Sequence, residues 1–332
     1  MNQELNKPLV SIGFPVFNGA STAKRAIEAL LKQTYSRIEI IVSDNGSTDS
    51  TREIIESIQT KEPRIRFLNS PLNRGSIWNF NEVLRASRGK YFMWAAHDDL
   101  HHLTFIEKCV QKMEEDENAV LCSPKVQFID QITDSLIAVS SLETLKRSSE
   151  VVSQFREVLW HFPAASLYGL YKLDRVSEIS LPSIMGGDLV FIYEVSLRGK
   201  FLSIDEVLFS RIVRPDWNTT DQDFMTFFGK GTKPIFYFPF VLVAYHTFSA
   251  MNRSRFSLAV KLKLMSVFVN HIINKLIQKV IMKLLKYFLP RKFSQHLRLT
   301  FYQRFLANPN IDVIDSGRYL ERIIKPQIEI RN

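Results

Sequence analysis

Acidic residues are missing from a long stretch of this chain. Residues 224–311 hold 14 Lys and Arg but no Asp or Glu, a net charge of +14, whereas residues 1–223 hold 25 bases and 30 acids, a net of −5. Folded surfaces ordinarily mix both signs. An 88-residue segment without one carboxylate therefore predicts an anionic partner, a membrane or a nucleic acid. Cysteine is scarce as well. Cys109 and Cys122 are too few for a disulfide scaffold, and their spacing matches no zinc motif, which predicts two reduced, buried thiols. Twelve Gly and thirteen Pro among 332 residues exclude collagen-like and low-complexity chains. The first residues, MNQELNKPLV, lack a basic segment followed by an apolar one, which predicts no secretory leader and, with the cysteine usage, a cytosolic placement. The remainder, 45% hydrophobic and 23% charged, is ordinary globular composition. Its length suits one large domain with an appendage, or two domains.

The first hundred residues alternate two periodicities. Short apolar runs at Leu9–Phe14, Ile38–Ser43, Ile65–Leu68 and Tyr91–Ala95 predict strands, the first stopping at Pro15. Between them, 20–32, about 51–58 and 75–86 carry apolar residues at helical spacing, with Asp49 or Ser50 suited to cap the second helix. This βαβ rhythm predicts an α/β fold with a mostly parallel sheet flanked by helices. In such sheets ligands sit beyond the carboxyl ends of the strands. The informative loops are therefore Pro15–Asn18, Asp44–Asp49, Asn69–Gly75 and His97–Asp99. The middle third is less regular: a strand at 119–123, a hairpin around Asp134, a helix at 151–161, a strand-like aromatic segment at 167–173, a helix at 188–198 and two short extended pieces within 201–211.

Two features carry chemistry by themselves. Asp98 and Asp99 are adjacent carboxylates at the end of an apolar strand, a costly placement unless something positive joins them. A divalent cation bridging phosphate oxygens would satisfy them, although a solvated loop or a helix cap would serve too. Asp44 can accept the imide N–H of uracil, thymine or guanine, or simply close an Asx-turn.

The combination is more specific than its parts. FPVFNGA, SDNGSTDST, LNRGSIWNFNEVLRASRGKY and FMWAAHDD follow one another at the predicted strand ends. In this the chain resembles the family-2 inverting glycosyltransferases of the GT-A type, over roughly residues 8–215. The resemblance implies a nucleotide-binding α/β sheet with an acceptor-side half, and transfer of a sugar from a nucleotide-sugar donor, UDP- or dTDP-linked. By the same resemblance Pro15, Val16, Phe17 and Asn18 line the nucleoside. Asp44 binds the base, with Asn73, Arg74 and Gly75 beside it and Asn81 on the following helix. Asp98 meets ribose or diphosphate and Asp99 ligates Mg²⁺ or Mn²⁺. The base that deprotonates the acceptor hydroxyl falls at the start of a helix, which MGGDLVFIYEVSLRGKF matches at Asp188. Gly186 and Gly187 let backbone and acceptor approach closely. Glu194, more than a turn further on, is the poorer candidate. LYGLYKLDRV is similar to a segment near the acceptor, with Lys172 where an Arg is common.

One element departs from the pattern. Where many relatives carry a His before Pro, SRIVRPDWNTT carries Arg214 before Pro215. Arginine does not ligate a cation but pairs with a diphosphate bidentately. Arg211 and Arg214 are thus candidate diphosphate ligands, and strict metal dependence is left open. His97, His101 and His102 flank the Asp pair and read as surface histidines. The expected organisation is a catalytic domain over 1–223 (donor half about 1–123, acceptor half about 124–223), a basic helical membrane-associating region over 224–311 and a tail over 312–332.

Within that basic region, 256–289 has strong helical periodicity, with Ile272, Leu276, Val280 and Leu284 on one side and His271, Lys275, Lys279, Lys283 and Lys286 on the other. A second, shorter helix is expected at 294–306. Lysines opposite Ile and Leu suit an anionic membrane surface better than a nucleic acid, where aromatics interleave with the charges; the alternative, a helical hairpin packed on the catalytic domain with its lysines in water, is disfavoured by the lack of any acid. Pro234–Asn252, 19 residues without a charge, barely reaches the length of a span. The expected placement is peripheral, on the inner face of the cell membrane, with a lipid-linked or polysaccharide acceptor and a role in making cell-surface polysaccharide. Two rivals remain at this point: a nucleotidyltransferase of similar fold, disfavoured because FPVFNGA lacks the Gly-rich basic loop that cradles a triphosphate, and a membrane-bound scaffold with a decayed site.

Overall fold

The structure is a computed structural model that describes residues 7–140, 150–161, 167–213, 239–288 and 311–313. Its first half lays down four parallel strands. β1 (Val10–Val16) lies between β2 (Ile38–Asn45) and β4 (Tyr91–Trp94), and β3 (Ile65–Ser70) flanks β2. The connections are α1 (Ala23–Leu31), α2 (Thr51–Gln59) and α3 (Ser76–Arg85). The strand period of two sorts the side chains onto two cores. Val10, Ile12, Phe14 and Val16 of β1 join Tyr91 and Met93 of β4 on the face covered by α1 and α2. Phe92 and Trp94 point to the other face, where Val83 and Leu84 of α3 lie.

Pro15 does not end β1 as expected. Gly13 accepts a hydrogen bond from the Ala95 N–H (2.9 Å) and so faces β4. Pro15, two residues on, faces the same side, and β4 pairing has already ended at Trp94. A missing N–H costs nothing there, and the strand continues to Val16 against Asp44 of β2.

The second half extends this sheet into a mixed, curled one. After β5 (Leu100–His101) and α4 (Phe105–Glu114) come β6 (Ala119–Asp130), β7 (Leu136–Ser140), α5 (Val151–His161), β8 (Leu170–Lys172), α6 (Leu173–Val176), α7 (Gly187–Ser196) and β9 (Lys200–Val213). β8 pairs antiparallel with β4 and β6, and β7 closes the expected hairpin on β6, with Asp134 in the left-handed region at φ 51°. The two pieces expected at 201–211 are one strand, and 119–123 merges with 126–129. β9 runs parallel to β6 along its whole length, and register shifts around Pro124 absorb the irregularity. β5 pairs with β9, and β10 (Ile311–Val313) with β7.

The described part of the acid-free segment is folded onto this body. α8 (Pro239–Arg253) packs on α7, and α9 (Leu258–Phe288) packs on α5. Met251, Leu264 and Phe268 are buried in the second core, with the Phe268 ring beside Phe155, Tyr193 and Phe248. Buried Glu194, the poorer base candidate, receives Arg198 (2.8 Å) and Arg253 (3.1 Å) and so ties α8 to α7. Pro234–Asn252 was weighed as a span. Among the described residues no helix is long and apolar enough to cross a membrane. The helix expected at 294–306 and the tail over 312–332 lie almost wholly outside the described residues.

Candidate active site

The loops at the carboxyl ends of β1 and β2 are tied to each other. Asn18, left-handed at φ 50°, donates its N–H to Ser47 Oγ (2.8 Å) and accepts the Thr48 N–H at Oδ1 (2.8 Å). Gly19 N–H reaches Thr51 Oγ1 (2.8 Å) and Ala20 N–H reaches Asp49 Oδ2 (3.1 Å). Pro15 and Val16 are buried at the strand end, with Phe17 half-buried beyond them. Asp44 is buried at the end of β2, and both its hydrogen bonds, from the Ser47 N–H (3.1 Å) and hydroxyl, fall on Oδ1.

Asn45 builds the wall beside it. Its amide donates to Asn73 Oδ1 (3.0 Å) and Gly75 O (3.1 Å) and accepts the Arg74 N–H (3.0 Å). This fixes Asn73, Arg74 and Gly75 next to Asp44, with the Arg74 guanidinium 4.4 Å over the Trp78 ring. Gly46 is required at φ 72°, because a Cβ there would stand 2.6 Å from the Leu72 carbonyl carbon.

Asn81 has a backbone partner across the fold. It faces Leu181, whose N–H it accepts (2.8 Å) and to whose C=O it donates (2.9 Å), and so it fastens α3 to the segment before α7. The asparagine that reaches the nucleotide-side loops is Asn79, which donates to Val16 O (3.2 Å) and Ser43 O (3.0 Å). Residues two apart lie on opposite sides of a helix, so only one of the pair can face the strand ends. Asn81→Ala, which strands both Leu181 backbone groups, is expected to cost about 2–4 kcal/mol in chemical denaturation with nucleotide affinity unchanged. A variant of full stability that no longer bound nucleotide would return Asn81 to the nucleotide site.

The loop after β4 crosses to the far strand. Asp99 is buried and its Oδ1 accepts the Ile212 N–H of β9 (3.1 Å), with half-buried Asp98 beside it. His97 anchors the same loop to α1 through Thr22 Oγ1 (2.8 Å) and lies against Gly19. β4 is two strands from β2, and the loop with Asp98 and Asp99 leaves the same carboxyl edge of the sheet at which Asp44 ends β2. Asp188 stands half-buried in the first turn of α7, behind Gly186 at φ 82°, where the helix end favours a negative charge.

The charges of several of these groups bear on Tyr168. Burial drives its phenol well above the usual tyrosine range. Arg211 opposes that shift, and Asp99, Asp98 and Asp188 reinforce it, so all four charges stand within electrostatic reach of one hydroxyl. The Arg211 guanidinium carbon is 5.8 Å from the Tyr168 ring. Neither Tyr168 nor Asn79 was singled out in the sequence. Tyr168 was hidden in an aromatic run that read as strand, and Asn79 in the doubled asparagine of WNFNE. Lys172 lies at the far end of the sheet, opposite the first residue of β4, and donates to Glu117 O (3.1 Å), so it does not join the site. Arg214 lies outside the described residues.

His102 hydrogen-bonds Thr104 on the surface. His101, read as a surface residue, is instead buried between Phe105 and Phe209, and burial pushes its imidazole down to about 3. Among the described residues no group of three or more His, Cys, Asp and Glu could hold a metal unaided. Two adjacent carboxylates fit a cation whose other ligands are substrate phosphates and water, the usual habit of Mg²⁺.

Residues 11–156 match the family model described as glycosyl transferase family 2. A glycosyltransferase of Rickettsia typhi is 31% identical over 223 residues, 64% of either chain. The chain spans about half to just under two thirds of the length of such curated relatives, 48% in one case and 64% in the other. Among solved structures, Staphylococcus aureus TarS in complex with UDP-GlcNAc superposes with a TM-score of 0.57 at 14% identity, covering 79% of this chain and 72% of that one. The Pyrobaculum calidifontis mannosyltransferase PcManGT, in complex with GDP-Man and Mn²⁺, superposes at 0.51 and 14% identity, covering 92% and 83%. Both have the same curled α/β sheet, and over residues 11–156 this chain is similar to glycosyltransferase family 2.

Proposed function

We propose that the protein moves a sugar from a nucleotide-sugar donor, UDP- or dTDP-linked, to a lipid-linked or polysaccharide acceptor, with inversion at the anomeric carbon, in the building of cell-surface polysaccharide. One piece of geometry supports the reading: Asp99 accepts the Ile212 N–H beside Arg211, whose guanidinium lies 5.8 Å from the Tyr168 ring, and the charges of Asp98, Asp99 and Asp188 raise the Tyr168 pKa.

Each group then has one task. Asp44 directs its second carboxylate oxygen at the imide N–H of the base, while Asn45 and Asn73 keep the neighbouring loop in place. The Asp188 carboxylate takes the proton from the acceptor hydroxyl, whose oxygen forms a bond to the anomeric carbon as the bond to the diphosphate oxygen breaks. Nucleoside diphosphate leaves from the opposite side. Asp98 and Asp99 would hold Mg²⁺ or Mn²⁺, which when bound neutralises charge on the departing diphosphate. Arg211 adds a second positive group there. The structural relatives described above bind UDP-GlcNAc and GDP-Man, the second with Mn²⁺. The acid-free segment brings the protein to the inner face of the cell membrane, where a lipid-linked acceptor resides.

Incubation of the full chain with a panel of nucleotide sugars, with Mn²⁺, with Mg²⁺ or with chelator, tests this. Release of nucleoside diphosphate from one donor is expected. Pyrophosphate released from a nucleoside triphosphate would make the protein a nucleotidyltransferase. The absence of both turnover and a nucleotide-induced rise in Tm would leave a scaffold.

A further inference from the structure

α9 carries more apolar surface than an ordinary surface helix, because opposite the buried Leu264 and Phe268 it shows a second apolar row. Such a helix buries its apolar stripe and leaves its lysines in water. Here buried His271 meets the Trp160 ring of α5 (4.7 Å), and the Lys275 ammonium lies over the same ring (5.7 Å). These two continue the inward face of α9, which also holds Leu264 and Phe268. The stripe of Leu258, Leu262, Met265, Val269, Leu276 and Val280 points outward instead, with relative exposures from 39% to 72%. Its steps of three, four and seven residues keep it on one line, about 33 Å long at 1.5 Å per residue. Single exposed leucines are common on proteins, but a continuous apolar row marks a surface that something covers.

We infer that this outward stripe is the face by which the protein lies on an anionic lipid leaflet, α9 running in the plane of the interface. The inference rests on the membrane part of the function proposed above and names the surface responsible. Charge selects the occupant. The stripe belongs to a segment with 14 bases and no acid, and Arg255 and Lys263 stand exposed next to it. A helix with apolar residues toward the acyl boundary and bases at the headgroups is the arrangement that binds such an interface. Each base near an anionic surface strengthens such binding. A second copy of the chain would instead bring two acid-free segments together, and juxtaposed like charges oppose that. The same geometry gives α8 a part, because Val241 and Tyr245 are 61% and 66% exposed on its outer side.

Co-sedimentation of the full chain with vesicles tests the assignment, using phosphatidylcholine alone or with one third phosphatidylglycerol. The wild type is expected to pellet with the mixed vesicles only. Joint replacement Leu262→Glu, Val269→Glu and Leu276→Glu is expected to lower that partitioning by roughly tenfold or more, through lost apolar burial and added negative charge. Ile132→Glu, an exposed apolar site on the distant β6–β7 turn, leaves it unchanged. Nucleotide-induced stabilisation serves to show that every variant is folded. A second readout needs no loss of binding. Cys109 and Cys122 are buried, so a polarity-sensitive dye on Leu262→Cys reports that position alone, and its emission should shift to the blue with mixed vesicles. If the wild type pellets and the triple variant pellets equally well, the membrane reading stands and the stripe is not its surface. A wild type that ignores both vesicles removes the membrane reading itself. A wild-type dimer in light scattering that the triple variant splits would give the stripe to a second copy.

Discussion

Asp188→Asn is expected to reduce sugar transfer by about a thousandfold, within the range by which a positioned base accelerates proton transfer, while the affinity for the nucleotide-sugar donor stays within about twofold. The exchange keeps size and shape but removes the lone pair that takes the acceptor proton. It also keeps an acceptor atom in the first turn of α7, so the helix end loses only a favourable charge interaction of about 0.3–1 kcal/mol. Folding is therefore preserved, and kcat carries the loss. Steady-state kinetics of nucleoside diphosphate release, beside calorimetric donor binding, separates the two quantities. Slow hydrolysis of donor by water should survive better than transfer, because the missing base serves the acceptor hydroxyl. Unchanged transfer in Asp188→Asn would dismiss Asp188 as the base. Glu194 would not be its replacement, because both of its oxygens are already engaged by Arg198 and Arg253.

The parts of the fold that were legible in the sequence are those with local causes. Four apolar runs separated by helical periods declared the parallel half of the sheet, and the loops at their ends declared Pro15–Asn18, Asp44 and the Asp98–Asp99 pair. What was not legible depended on direction or on distant partners. Pro15 looks like a terminator until its ring is seen to face the unpaired side of β1. Ser123–Pro124 looks like a break until β9 accommodates it with shifts of register. Two asparagines two residues apart in one helix look alike, and only their partners, Val16 and Ser43 for Asn79 and Leu181 for Asn81, tell them apart. Periodicity showed one apolar side on α9 but could not say which apolar residues face inward, and those that do are Leu264 and Phe268. Trp160, more than a hundred residues earlier in the chain, extends that inward face by taking His271 and Lys275. Tyr168 became visible only once the loops after β4 and before α7 had been brought to it.

Asp99→Asn should be the second severe variant, and it separates two ways of neutralising the diphosphate. The new amide keeps an oxygen for the Ile212 N–H, so the link between the β4 loop and β9 survives. What disappears is one negative charge from the only adjacent pair of carboxylates at this corner. A cation held by two carboxylates and substrate phosphates loses half of its protein ligands. Transfer is expected to fall roughly a hundredfold or more, with stimulation by Mn²⁺ or Mg²⁺ lost in parallel. Arg211, which like Asp98 and Asp99 bears on Tyr168, provides the contrast. With a cation doing most of the work, Arg211→Gln costs less than Asp99→Asn and the variant still responds to metal. If arginine does that work, the order reverses and the wild type turns over in chelator. The double variant completes the cycle. Two groups acting on the same diphosphate give a combined loss that differs from the sum of the single losses, whereas strict additivity would mean that Asp99 and Arg211 act on separate events. Full activity of Asp99→Asn in the presence of chelator would remove the metal from the mechanism and leave the buried carboxylate a purely structural partner of Ile212.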